Sequence, residues 1–244
     1  MRYFRNGVST RLAGPIFSSL AMVSIFGLVT GAHAQSFCSS DGQLRPVVLL
    51  ERFINADCEA CWNDPATPAA DSRQIALDWV IPGSKGEDAP LSPVANRDGL
   101  QRLQALVMPV PSTSVASTHN VTGLKGVSLR VAHGLTLGGY VGVSIGLKPA
   151  NKLASRQPLT AWLALVESIP EGTEGTPIPR NLIRNVLQLN WKGVNKLSKK
   201  EHAGLIETRV MSVAAGVNPD NLQVIGWVED SKGTVLAAAQ SRCK

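Results

Sequence analysis

The chain has 244 residues, of which 44% are hydrophobic, 17% charged and only 5% aromatic. That apolar fraction sustains a core and excludes a disordered chain, while no stretch is long and clean enough for a polytopic membrane protein. The formal charge is +6, and the low share of charged residues, with 22 Gly and 15 Pro, points to β-structure and turns rather than a helical bundle.

Residues 1–34 read as a signal peptide. Arg2, Arg5 and Arg11 form a positive start with no acid, Ile16 to Val29 is a short apolar run, and Ala32-His33-Ala34 is a small-x-small cleavage signal before Gln35. The expected location is therefore secreted or periplasmic, with no membrane attachment after cleavage. Removing three Arg leaves 21 basic against 18 acidic residues, a charge of +3. That value gives no ground for nucleic-acid binding. The densest basic run, Lys196 to Lys200, is followed by Glu201 and reads as a solvated turn.

Four cysteines, Cys38, Cys58, Cys61 and Cys243, would meet an oxidising compartment after export. Four cysteines allow three pairings. Domain termini lie close together in many folds, so the end cysteines Cys38 and Cys243 are expected to form a structural disulfide. In the chain-entropy description so long a loop is worth roughly 5 kcal/mol. Cys58 and Cys61 are left as a C-x-x-C pair.

Pro46 to Phe53 is an apolar, β-branched run that reads as a buried strand. The C-x-x-C follows it, then a second strand at 75–81 and a helix at 94–107. A cysteine at a helix start faces solvent and is favoured as thiolate by the helix dipole. The second cysteine is then buried and resolves a mixed disulfide. Asp57 and Glu59 flank Cys58 and oppose that effect by raising its pKa. Pro65 could sit in a first helical turn, but Pro68 would shorten or kink a helix there. Trp62 is placed to cover the disulfide. Zinc would need further ligands from His119, His133 or His202, which have no finger-like spacing. A copper-type site on Cys58, Cys61 and His119 is the remaining metal reading, and no cofactor is expected.

These motifs, in this order, resemble the secreted thioredoxin-like family known as domain of unknown function 1223. The stretch Val47-Val48-Leu49-Leu50-Glu51-Arg52-Phe53, then Cys58-Glu59-Ala60-Cys61 and Asn63-Asp64-Pro65-Ala66, is similar to its opening. Leu77-Asp78-Trp79-Val80-Ile81-Pro82-Gly83 and Asn96-Arg97-Asp98-Gly99-Leu100-Gln101 resemble its next two segments. Ala161 to Glu167, Leu182-Ile183-Arg184 and Leu222 to Asp230 resemble its tail. The resemblance covers most of 46–243 and implies a thioredoxin-like fold without an activity. It places His119, in Thr118-His119-Asn120-Val121, where the family has a cis-proline facing the cysteines.

From about Gly123 the pattern becomes one of short strands: 127–131, 140–147, 159–167, 180–191, 204–214, 222–228 and 234–239. Turn signals such as Asn218-Pro219-Asp220 and Asp230-Ser231-Lys232-Gly233 separate them. The glycines from Gly134 to Gly146 lack nucleotide-loop spacing, and no G-x-S-x-G or H-E-x-x-H occurs. The fold class expected is an α/β thioredoxin-like N-terminal part (44–123) followed by a mostly antiparallel β-sandwich-like part (124–243), α+β overall. Two functions stay open. One is thiol-disulfide exchange, with Cys58 attacking, Cys61 resolving and a protein partner as substrate. The other is a non-catalytic scaffold or binding protein with a permanent Cys58–Cys61 bridge.

Overall fold

A computed structural model describes residues 38–123, 126–148, 158–191 and 205–243. The signal segment, His202 and the basic run at 196–200 lie outside the described residues. In chain order the strands are β1 (Cys38–Ser39), β2 (Val48–Asn55), β3 (Gln74–Ile81), β4 (Ser114–Asn120), β5 (Ser128–Leu137), β6 (Tyr140–Lys148), β7 (Leu159–Ile169), β8 (Arg180–Trp191), β9 (Leu205–Ser212), β10 (Leu222–Glu229), β11 (Val235–Gln240) and β12 (Arg242–Cys243). The helices are α1 (Glu59–Trp62) and α2 (Asp98–Ala105). Neither is long and apolar enough to cross a membrane.

The strands form two sheets. The larger runs β11-β10-β7-β8-β3-β2-β4 and the smaller β12-β1-β5-β6-β9. Most neighbours are antiparallel, but β2 pairs with β3, and β3 with β8, in parallel. β2, β3, β7 and β10 are nearly continuous apolar runs because both faces of the large sheet are covered. One face packs on the small sheet through Val131, Val143, Ile145, Leu163 and Val224. There the sheets approach so closely that a Cβ on Gly226 would lie 2.6 Å from Val131. The other face packs Phe53, Trp79, Trp162 and Trp227 beneath Leu103 of α2. A third cluster, Ile54, Val80, Leu182, Cys61 and Trp62, seats α1. Each large apolar side chain fully buried this way contributes about 1.5–3 kcal/mol.

The structure corrects the expected fold class. Twelve strands against two helices, of four and eight residues, make the described chain mostly β and not an α/β thioredoxin-like fold. The physical reason is local. α1 stops at Trp62, before Pro65 and Pro68, so the C-x-x-C opens a single turn. The helix expected over 94–107 is reduced to α2, because Ser92–Val94 forms a 3-10 turn with Pro93 inside it. The two stretches expected as separate units, 44–123 and 124–243, contribute strands to one sheet, with Asp78 of β3 in register with Leu182 of β8.

Candidate functional site

The backbone leaves β2 at Asn55, which fixes the turn that follows. Its N–H donates to Thr113 O (2.7 Å), its side-chain amide to Pro111 O (2.9 Å), and its Oδ1 accepts from Asp57 N (2.9 Å). Cys58 N donates to Asn55 O and Cys61 N to Cys58 O, winding the single turn of α1. Cys58 and Cys61 are disulfide-bonded. Cys58 is half-buried and packs, as do Leu91, Val94 and Ala95, against the third core cluster, within which Cys61 is buried.

Asp57 does not turn towards the sulfurs. Its carboxylate accepts from Ser84 N and Ser84 Oγ, both at 2.7 Å, and from Lys85 N at 3.2 Å. The Ser84 hydroxyl first, and then the backbone donors and the Lys85 charge, outweigh desolvation and hold its pKa below the ordinary carboxylate value. Gly83 makes that loop fit, since a Cβ there would lie 2.2 Å from Asp57 Oδ1. Glu59 is exposed at the first position of α1.

Trp62, the last residue of α1, is clamped from below. Arg180 donates to Trp62 O (2.7 Å), and its guanidinium sits 4.5 Å from the centre of the indole. The indole N–H donates to Glu174 O at 2.8 Å. Arg180 also pairs with Asp78 (2.9 Å), which is shared with Arg52 (2.6 Å). Arg52 in turn donates to Pro68 O at 2.8 Å, tethering the loop after the cysteines. Burial pushes the Arg180 pKa down, and Asp78 only partly offsets it.

A second buried cluster lies on the opposite face. Arg102 of α2 forks onto Glu51 (2.7 Å) and reaches Glu229 (2.7 Å), lying over the stacked rings of Trp162 and Trp227. The indoles of Trp79, Trp162 and Trp227 donate to the same two carboxylates. Burial acts to raise the Glu51 pKa, but the Arg102 charge and hydrogen bonds from His119 and Arg102 outweigh it and leave the carboxyl below its ordinary value.

His119 belongs to this second cluster. Its Nε2 is 3.2 Å from Glu51 Oε2 and 3.1 Å from Ser117 Oγ. β4 runs antiparallel to β2 with His119 opposite Leu49, so six residues of strand, about 20 Å, separate it from the Asn55 end beside the cysteines. The structure thus brings together Cys58, Cys61, Asp57, Glu59 and Trp62, and it puts His119 elsewhere. A metal site on Cys58, Cys61 and His119 is excluded by that separation, as is His119 in the place facing the cysteines. The backbone that does bond to the Asn55 turn is Pro111 to Thr113.

The charged residues of the two clusters went unnoticed as sites in the sequence. The available signal was charge inside apolar strands: Glu51-Arg52 between Leu50 and Phe53, Asp78 between Leu77 and Trp79, and Glu229 after Val228.

Beside the disulfide runs an open groove of about 350 Å³, lined by Glu59, Trp62, Leu91, Pro93, Val94 and Glu174 among others. Its lining is mostly apolar and includes two exposed glutamates, Glu59 and Glu174. The other disulfide, Cys38–Cys243, joins β1 to β12, as the sequence suggests.

No family model and no curated protein matches the chain. Among solved structures, HBP35 of Porphyromonas gingivalis is similar over 82% of this chain and 76% of that chain, with 13% identity and a TM-score of 0.47. Likeness at that level supports no statement about fold or activity.

Proposed function

We propose that the protein exchanges disulfides with a protein partner through Cys58 and Cys61 in an extracytoplasmic compartment. The observation that carries this reading is the unequal exposure of the two cysteines at one turn, Cys58 reachable and Cys61 buried, beside an apolar groove. A partner thiolate attacks Cys58 Sγ. The Cys58–Cys61 bond breaks, the partner sulfur bonds to Cys58, and Cys61 leaves as thiolate. A second partner thiol then attacks its own bonded sulfur and releases Cys58, so the partner is oxidised by two electrons and the pair is reduced. In the reverse direction Cys58 attacks a partner disulfide and Cys61 resolves the mixed species.

The pair is a mild oxidant on this reading. Asp57 and Glu59 place negative charge beside Cys58, and one helical turn supplies little dipole to offset it.

A second reading, a permanent bridge in a binding scaffold, is favoured by the buried Arg180 clamp on Trp62, which resists movement of α1. Trapping separates the two. Cys61→Ser, treated with glutathione disulfide, is expected to form a mixed disulfide at Cys58, mapped by peptide mass. Cys58→Ser is expected to leave Cys61 unmodified in the folded protein. Absence of an adduct at Cys58 would favour the scaffold.

A further inference from the structure

The sheet order β12-β1-β5 sets three side chains in a row. Cys38 is in register with Cys243 on one side and with His133 on the other. Residues directly opposite across strands share a face, so all three project the same way. Their ligand atoms, two sulfurs and one ring nitrogen, lie within 4.8 Å of one another. Cys38 and His133 are buried and Cys243 is exposed.

His133 is the second observation. The residue is only 5% exposed. Nδ1 lies 3.0 Å from Gly134 O, and since a carbonyl only accepts, Nδ1 carries the hydrogen. That leaves Nε2 with a free lone pair, and Nε2 is buried without a partner. A buried, unpartnered nitrogen costs free energy unless something occupies it. Metal-binding histidines have this same arrangement, with the far N–H fixed by a backbone carbonyl.

We propose that Cys38, Cys243 and His133 form a Cu(I) site when the Cys38–Cys243 disulfide is reduced. A dithiol of the compartment supplies two electrons and two protons, leaving as its own disulfide. Cu(I) binding then displaces the two thiol protons to solvent. Two thiolates and an imidazole complete a trigonal Cu(I) shell, whereas Zn(II) would be one ligand short. Metal–sulfur bonds of about 2.3 Å at trigonal angles span about 4 Å between ligand atoms, so the two sulfurs, bonded to each other in the disulfide, must move apart on reduction, while the ring nitrogen starts within 4.8 Å of both. Cys243, on the outer strand, is the side by which the ion enters. The site is separate from Cys58 and Cys61.

The test uses the full chain with Cys58→Ser and Cys61→Ser, so that only one thiol pair remains. The protein is reduced with a phosphine, desalted without oxygen, and titrated with Cu(I) against the coloured chelator bicinchoninate. One Cu(I) per chain is expected to be withheld from the chelator, with the β-sheet circular dichroism retained. The oxidised protein is expected to withhold none. His133→Ala in that background is expected to lower Cu(I) affinity at least tenfold, and His133→Gln serves if the alanine variant loses its sheet signal. The proposal is overturned if the reduced protein withholds no Cu(I), if it loses its sheet on reduction, or if the His133 variants bind as tightly as the parent.

Discussion

Glu51 and Arg52 are neighbours in sequence and, by strand alternation, belong to opposite faces of the large sheet. Glu51 joins Glu229 and Arg102, two negative charges against one positive. Arg52 joins Arg180 and Asp78, two positive against one negative. Counting carboxylates and guanidiniums alone, and leaving aside His119 on Glu51, the two clusters have surpluses of opposite sign across one sheet. Such clusters give little net stability over apolar residues, but breaking one leaves uncompensated buried charge. Arg102→Ala is therefore expected to cost about 3–5 kcal/mol, read as a lowered urea midpoint with its slope retained. The pH dependence has a definite sign. The Glu51 pKa lies below its unfolded value, so its contribution is complete above about pH 4.3 and is lost as pH falls through the folded value. Urea midpoints between pH 7 and pH 3 are expected to fall on the acid side, and Glu51→Gln is expected to flatten that fall. These charges were legible in the sequence as anomalies within apolar runs. Their partners were not, because 51 residues separate Glu51 from Arg102 and 102 separate Asp78 from Arg180.

At the level of elements, the strands with apolar patterning were readable, and β8 matches its expected span, residues 180–191. β4 was not. Its sequence, Ser114-Val115-Ala116-Ser117-Thr118-His119-Asn120, looks like a polar loop because it is an edge strand with every second residue exposed. The family resemblance put His119 facing the cysteines, whereas the antiparallel register with β2 carries it away. The disulfide turn depends instead on the loop at Gly83. Gly83→Ala would push Asp57 off Ser84 and Lys85, and the Asn55 Oδ1 that orients Asp57 is equally close, 2.4 Å from the added Cβ. We expect faster reduction of Cys58–Cys61 by dithiothreitol in this variant, with the sheet signal unchanged. An unchanged reduction rate would mean that the loop does not support the turn.

On the scale of the whole molecule, the cysteine pairing was legible because only four cysteines exist and two of them lie near opposite ends of the described chain. Parallel pairing of β3 with β8 crosses the division expected at residue 123. Long-range strand pairing leaves no local trace in a sequence, so the change of composition near Gly123 looked like a boundary. The Cys38–Cys243 bridge spans 205 residues. Replacing both cysteines by serine is expected to cost roughly 2–5 kcal/mol, measured as a drop in urea midpoint. The proposed redox function belongs to the pair within this whole. The measurement that tests it most directly is the reduction potential of Cys58–Cys61, by trapping thiols across a redox buffer series and mapping each cysteine by peptide mass. Exchange predicts a value of roughly −270 to −180 mV, towards the reducing end because of Asp57 and Glu59. A value below about −300 mV would contradict exchange and make the bridge structural.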